Sequence, residues 1–128
     1  MIQPQTVVVL QGDQTGQELL EQALRVLEPA VTGVPLTFET FDLSLDNRRR
    51  TRNQVVYEAA AAMRRAGLAI KAATITPETP GDVGSPNAIL RQEINGTVII
   101  RTGRRIPGVA PVSGLYAPIS VVRMAVDD

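Results

Sequence analysis

Residues 84–91, Gly-Ser-Pro-Asn-Ala-Ile-Leu-Arg, place a hydroxyl at Ser85, an amide at Asn87 and a guanidinium at Arg91 around the start of a helix. Serine at an N-cap followed by proline at the first helical position marks where such a helix opens. The first N–H groups of a helix have no partner inside it and favour an anion. A serine, an asparagine and an arginine gathered there describe an anion cradle. Two further arginines, Arg101 and Arg123, each close a β-branched run, "TVIIR" and "ISVVR". A guanidinium forks onto a carboxylate through two parallel hydrogen bonds, so three arginines together suit a di- or tricarboxylate. The competing reading is three rim arginines with buried stems and solvated heads.

The rest of the chemistry is bounded by what is missing. The 128 residues include no Cys, His or Trp, and Lys71 is the only lysine beside twelve arginines. Cysteine nucleophiles, histidine bases, disulfides and the usual zinc sites are therefore excluded. Thirteen basic and thirteen acidic residues cancel to a net charge of zero, so no global field draws the chain to nucleic acid or to an anionic membrane. No apolar run is long enough to span a bilayer and no charged, apolar leader opens the sequence. The expectation is a single cytoplasmic domain over residues 1–128, with no nucleic acid or membrane partner.

These residues must be positioned by strands and helices. "TVVVL" (6–10) reads as a strand, "QGDQTG" as a turn, and residues 15–31 as a helix with Leu19, Leu20, Ala23, Leu24, Leu27 and Val31 at helical spacing. Thr15 with Glu18 has capping-box spacing, and Glu28-Pro29 bends or ends the helix. "LTFETFD" (36–42) alternates as a second strand. "DNRRRTRN" (46–53) reads as a polar connector ahead of a helix from about 52 to 66, with Thr51 and Gln54 as its capping box and Gly67 as its stop. "LAIKAATI" (68–75) is a third strand and "TPETPGDVG" a loop. A helix over 86–94 follows, then strands at 97–101 and 118–126 joined by a Gly/Pro-rich segment. Strands alternating with helices predict an α/β fold, a mainly parallel twisted sheet with helices on its faces. Loops at the carboxyl ends of such strands gather the ligand site.

Three other clusters read as structure before function. "GDQTG" lies between strand and helix, where backbone N–H groups can meet a phosphate or carboxylate, or can simply form a tight turn. "NRRRTRN" reads as a solvated basic run, without the interleaved aromatics that base stacking needs. "EAAAAMRR" reads as a core-facing helix whose basic end complements its dipole.

Taken in order, "GDQTG", "IKAATITP", "GSPNAILR", "RTGRRIPGV" and "ISVVRMAVDD" resemble the isocitrate/isopropylmalate dehydrogenase family. The first is similar to the family's opening Gly-Asp-Gly-x-Gly-Pro-Glu, with Gln14 and Gln17 in place of the second glycine and the proline and with Glu18 kept. "KAATITP" resembles a segment of NADP-dependent isocitrate enzymes whose last threonine meets substrate and whose lysine and first threonine lie by the cofactor. That implies Thr76 for substrate and Lys71 and Thr74 for cofactor. "SPNAILR" is similar to the family's Ser-x-Asn-x-x-x-Arg, which implies substrate contacts for Ser85, Asn87 and Arg91, and Arg101 and Arg123 fall where the family places its second and third substrate arginines.

The resemblance implies the amino-terminal part of the isocitrate/isopropylmalate dehydrogenase-type fold, NAD(P) with Mg²⁺ or Mn²⁺ as the family's cofactors, and isocitrate as ligand. It also implies that the catalytic tyrosine and lysine, the metal-binding aspartates and the adenosine loop fall outside this chain. Met124 and Ala125 replace the Glu-Asn that follows the third arginine, and Asp127 and Asp128 are not substitutes for the metal ligands. No catalytic or metal-binding residue is therefore expected here, and the chain alone is expected to be inactive. The alternative is a catalytically silent module. Half a sheet leaves an unpaired edge and an uncovered face, so a homodimer or a complex with another protein is expected either way.

Overall fold

A computed structural model gives the structure of the chain and describes residues 3–125. Strand β1 (Gln5–Gln11) lies at the centre of a three-stranded sheet, flanked by β2 (Leu36–Asp42) and β3 (Ala69–Lys71), all parallel. The β-branched run explains that place. Val7, Val8, Val9 and Leu10 are all buried, as a parallel strand covered on both faces requires. Val8 and Leu10 pack with the α4 residues Val55, Val56, Ala59, Ala60 and Ala62 (α4, Gln54–Ala66) and with Leu90 of α5 (Pro86–Glu93). Val9 faces the other way, onto Leu20 of α1 (Gln14–Leu27) and Ala72. Helices thus cover both faces of a parallel sheet, the expected α/β arrangement.

Several boundaries follow the sequence signals. Helix α1 ends at Leu27 and Pro29 opens the short α2 (Pro29–Thr32). Gly67 closes α4 with φ of 74°, a left-handed turn that glycine adopts without steric cost. Ser85 caps α5, its Oγ accepting from the Asn87 N–H at 3.3 Å, with Pro86 in the first turn.

Other expectations are corrected. Neither capping box forms: α1 is preceded by Asp13 and α4 by Asn53, and neither side chain caps its helix. Thr51 is instead the last residue of a separate helix, α3 (Leu45–Thr51), where the basic run was expected to be a connector. The third strand ends at Lys71 rather than near 75, because Ala73 is taken up by the β1–α1 turn: its carbonyl accepts from Asp13 N–H at 3.0 Å. A Cβ on Gly12 would sit 2.1 Å from that carbonyl, and one on Gly16 2.7 Å from it. The glycines of "GDQTG" are therefore there for close packing.

The last two strands do not join the parallel sheet. β4 (Val98–Gly103) and β5 (Ile119–Met124) pair with each other, antiparallel, as a two-stranded ribbon. Among the described residues no helix is long and apolar enough to cross a membrane.

Candidate functional site

Helix α3 organises the candidate site. Ser44 precedes it, Asp46 lies in its first turn and three arginines occupy its last, an order that complements the helix dipole. Arg48 is fully buried, which corrects the solvated reading at that position, while Arg49, Arg50 and Arg52 are exposed as the run predicts. Its Nε donates to the Leu43 carbonyl at 2.9 Å, one terminal nitrogen to the Gly84 carbonyl at 2.9 Å, and the other to the Ile75 carbonyl. Burial disfavours the charged form and pushes this guanidinium below its ordinary value; Asp13 and Asp82 oppose that shift and Arg49 adds to it.

Two of these carbonyls immediately precede expected ligand residues. Ile75 leads into Thr76, and Gly84 into Ser85. One side chain therefore fastens both walls of a long loop that has no helix or strand of its own between Lys71 and Pro86. Further ties hold the same loop. The Asp13 carboxylate accepts from Ile75 N–H at 2.8 Å and from Leu45 N–H at 2.9 Å. Asn53 Nδ2 donates to the Val83 carbonyl at 2.8 Å, and Arg49 pairs with Asp82 at 2.7 Å. The Asp82 carboxyl is held below its ordinary range, first by the Arg49 hydrogen bond and then by the Val83 N–H.

Lys71 and Thr74, expected beside a cofactor, lie together: Lys71 Nζ donates to Thr74 Oγ1 at 3.0 Å and to the Ala72 carbonyl at 2.9 Å. Burial, then the Arg48 charge, push this ammonium below its ordinary value, with Asp13 opposing. Asn87 and Arg91 lie in α5 and Ser85 is its N-cap. Arg101 and Arg123 are within strands of the ribbon rather than at the carboxyl ends of parallel strands. Arg101 stands opposite Val121 and Arg123 opposite Ile99, so the pleat puts both arginines on one face as diagonal neighbours. Both are exposed. The expected cradle residues are therefore carried by two elements, Ser85, Asn87 and Arg91 by the start and body of α5 and Arg101 and Arg123 by the ribbon.

The "GDQTG" turn does not offer its first amide to an anion. Gln17 Oε1 accepts from Gly12 N–H at 3.1 Å, and Gln14 adopts a left-handed φ of 48°. Sequence reasoning missed Arg48 and Asp13. The signal for the first was the helix-like order of Ser44, Asp46 and the arginines, which the polar composition concealed. Asp13 had no local signal, because its partners are 32 and 62 residues away.

Comparison with known proteins finds relatives across most of the chain. The sequence model described as isocitrate/isopropylmalate dehydrogenase matches residues 6–127. The chain is similar to the mitochondrial NADP isocitrate dehydrogenase of Aspergillus niger, at 33% identity over 95% of this chain and 26% of that protein. It is also similar to the cytosolic NADP isocitrate dehydrogenase of Arabidopsis thaliana, at 36% identity over 74% of this chain and 25% of that protein. Mitochondrial NAD(+) isocitrate dehydrogenase 1 of Phaeodactylum tricornutum is 36% identical over 70% of this chain and 17% of that protein. The chain thus spans about a quarter or less of the length of these relatives. With the α/β architecture and the order of its motifs, this match establishes that the chain belongs to the isocitrate/isopropylmalate dehydrogenase family.

Proposed function

We propose that this chain carries one wall of a polycarboxylate site, binds a ligand such as isocitrate, and does not complete an oxidative decarboxylation by itself. Thr76, Ser85, Asn87 and Arg91 form the first group of contacts, and Arg101 and Arg123 form the second. The observation that carries the reading is the fastening of Ile75 and Gly84 to one guanidinium. It holds Thr76 and Ser85, nine residues apart in sequence, on either side of a single buried residue.

In this site the arginines neutralise carboxylates and the Ser85 cap presents a helix start to a negative group. Lys71 and Thr74 fit a nicotinamide cofactor as one polar edge of its site, where the cofactor would supply hydride acceptance. Among the described residues no group of three or more His, Cys, Asp or Glu stands together that could hold a metal ion.

Calorimetric titration with isocitrate, with and without Mg²⁺ and at low salt to limit screening of the arginines, tests the reading. Binding that weakens in Arg91→Gln is the expected result. Unchanged affinity in that variant overturns it.

A second reading, a silent module that assembles with a protein partner or with itself, is favoured by the ribbon. Val98, Ile100, Val122 and Met124 share the face opposite the arginines and are 53–71% exposed; an apolar face of this kind marks contact with another surface. Light scattering that finds a monomer at high concentration removes self-assembly and counts against this reading, leaving only a different protein as partner.

A further inference from the structure

We propose that Arg48 is a positioning residue for ligand recognition: it sets the spacing between Thr76 and Ser85 by holding the carbonyls of Ile75 and Gly84. The inference rests on the polycarboxylate reading of that loop. The peptide groups around Ile75 are held from two directions, with its N–H donating to Asp13 and its carbonyl accepting from Arg48. Asp13 in turn accepts from Leu45 N–H in the first turn of α3, the helix that carries Arg48. The result is a closed circuit through the β1–α1 turn, α3 and the loop.

The chemistry of the side chain supports a geometric role. A buried cation is an expensive way to gain stability, and an apolar residue of similar volume usually does as well or better. Among the described residues Arg48 forms no ion pair; its donors go to three backbone carbonyls. A planar guanidinium can reach three carbonyls in fixed directions, whereas an ammonium is a compact point donor on a flexible stem. The property that only arginine supplies at this position is therefore fixed separation of its acceptors. A mispositioned contact loses affinity even when every ligand-touching side chain is intact.

The test compares the whole chain with Arg48→Lys and with Val8→Ala, a core truncation in β1 that touches neither carbonyl. Isocitrate titration and amide hydrogen exchange are measured on each. Arg48→Lys is expected to bind isocitrate about tenfold or more weakly and to accelerate exchange selectively within residues 74–87. Val8→Ala is expected to lower the unfolding midpoint with affinity unchanged. If Arg48→Lys does not fold, Asn53→Gly, which frees only the neighbouring Val83 carbonyl, is expected to show the same selectivity with a loss of about threefold. Wild-type affinity in Arg48→Lys, or in Asn53→Gly where that variant stands in for it, or an equal loss in Val8→Ala, overturns the proposal. Should the unmodified chain fail to bind isocitrate, the ligand reading falls, and exchange alone decides the clamp: selective acceleration at 74–87 sustains it and uniform acceleration refutes it.

Discussion

Replacing Asp13 by asparagine keeps the shape of the side chain and removes half of what it does. Each carboxylate oxygen accepts one backbone N–H, Oδ1 from Leu45 at 2.9 Å and Oδ2 from Ile75 at 2.8 Å. In Asp13→Asn one oxygen becomes an amino group facing an N–H, so one bond is lost and its donor is left without a partner. The other bond survives but is no longer charge-assisted. Hydrogen bonds to charged groups contribute about 1.5–3 kcal/mol and neutral ones about 1 kcal/mol. Asp13 is half-buried, so water recovers part of the loss, and the net destabilisation should be about 2–3 kcal/mol. For a chain of 128 residues this lowers the thermal midpoint by about 7–11 °C. Urea unfolding followed by circular dichroism, with slopes compared between the proteins, measures the difference directly. A loss below about 0.5 kcal/mol would refute the claim that this carboxylate ties the turn, α3 and the loop together, since a surface substitution does no more.

Two further outcomes are expected. Gln14→Gly relieves a left-handed residue at φ of 48° and should raise stability by about 0.5–1 kcal/mol in urea unfolding; a decrease would show that the glutamine side chain makes a compensating contribution. Asp82 titrates below its ordinary value of 3.8 in the folded chain, so its contribution is full above the unfolded value and fades as pH falls through the folded one. Asp82→Asn should therefore flatten the acid limb of urea midpoints measured from neutral pH down to about pH 3, and an acid limb as steep as that of the unmodified chain would contradict the Arg49 pairing.

Much of the fold was legible because its signals are local. The apolar run of β1, the alternation in β2, the Ser85-Pro86 start of α5 and the glycine stop of α4 each depend on neighbours in sequence, and each stands where its residues predict. The long helix was expected to begin two residues early, because Thr51 and Gln54 have capping-box spacing while the backbone places a left-handed break at Arg52 and Asn53. The strand through Lys71 was read too long for a related reason. Its β-branched composition continues to Ile75, yet the hydrogen-bonding partner beyond Ala72 is a turn, and no periodicity announces that.

The candidate site divides along the same line. Composition alone excluded cysteine and histidine chemistry, and the types and spacing of Ser85, Asn87 and Arg91 marked a helix start suited to an anion. The motif order implied the family. Only tertiary structure decided that Arg101 and Arg123 share one face of an antiparallel ribbon, because strand register fixes which side chains are neighbours across a pair. Only tertiary structure turned Arg48, the first arginine of a polar run, into a buried clamp. Burial of a charge depends on whether acceptors from distant segments converge on it, and the carbonyls of Ile75 and Gly84, 27 and 36 residues along the chain, do so only once the loop has folded back over α3.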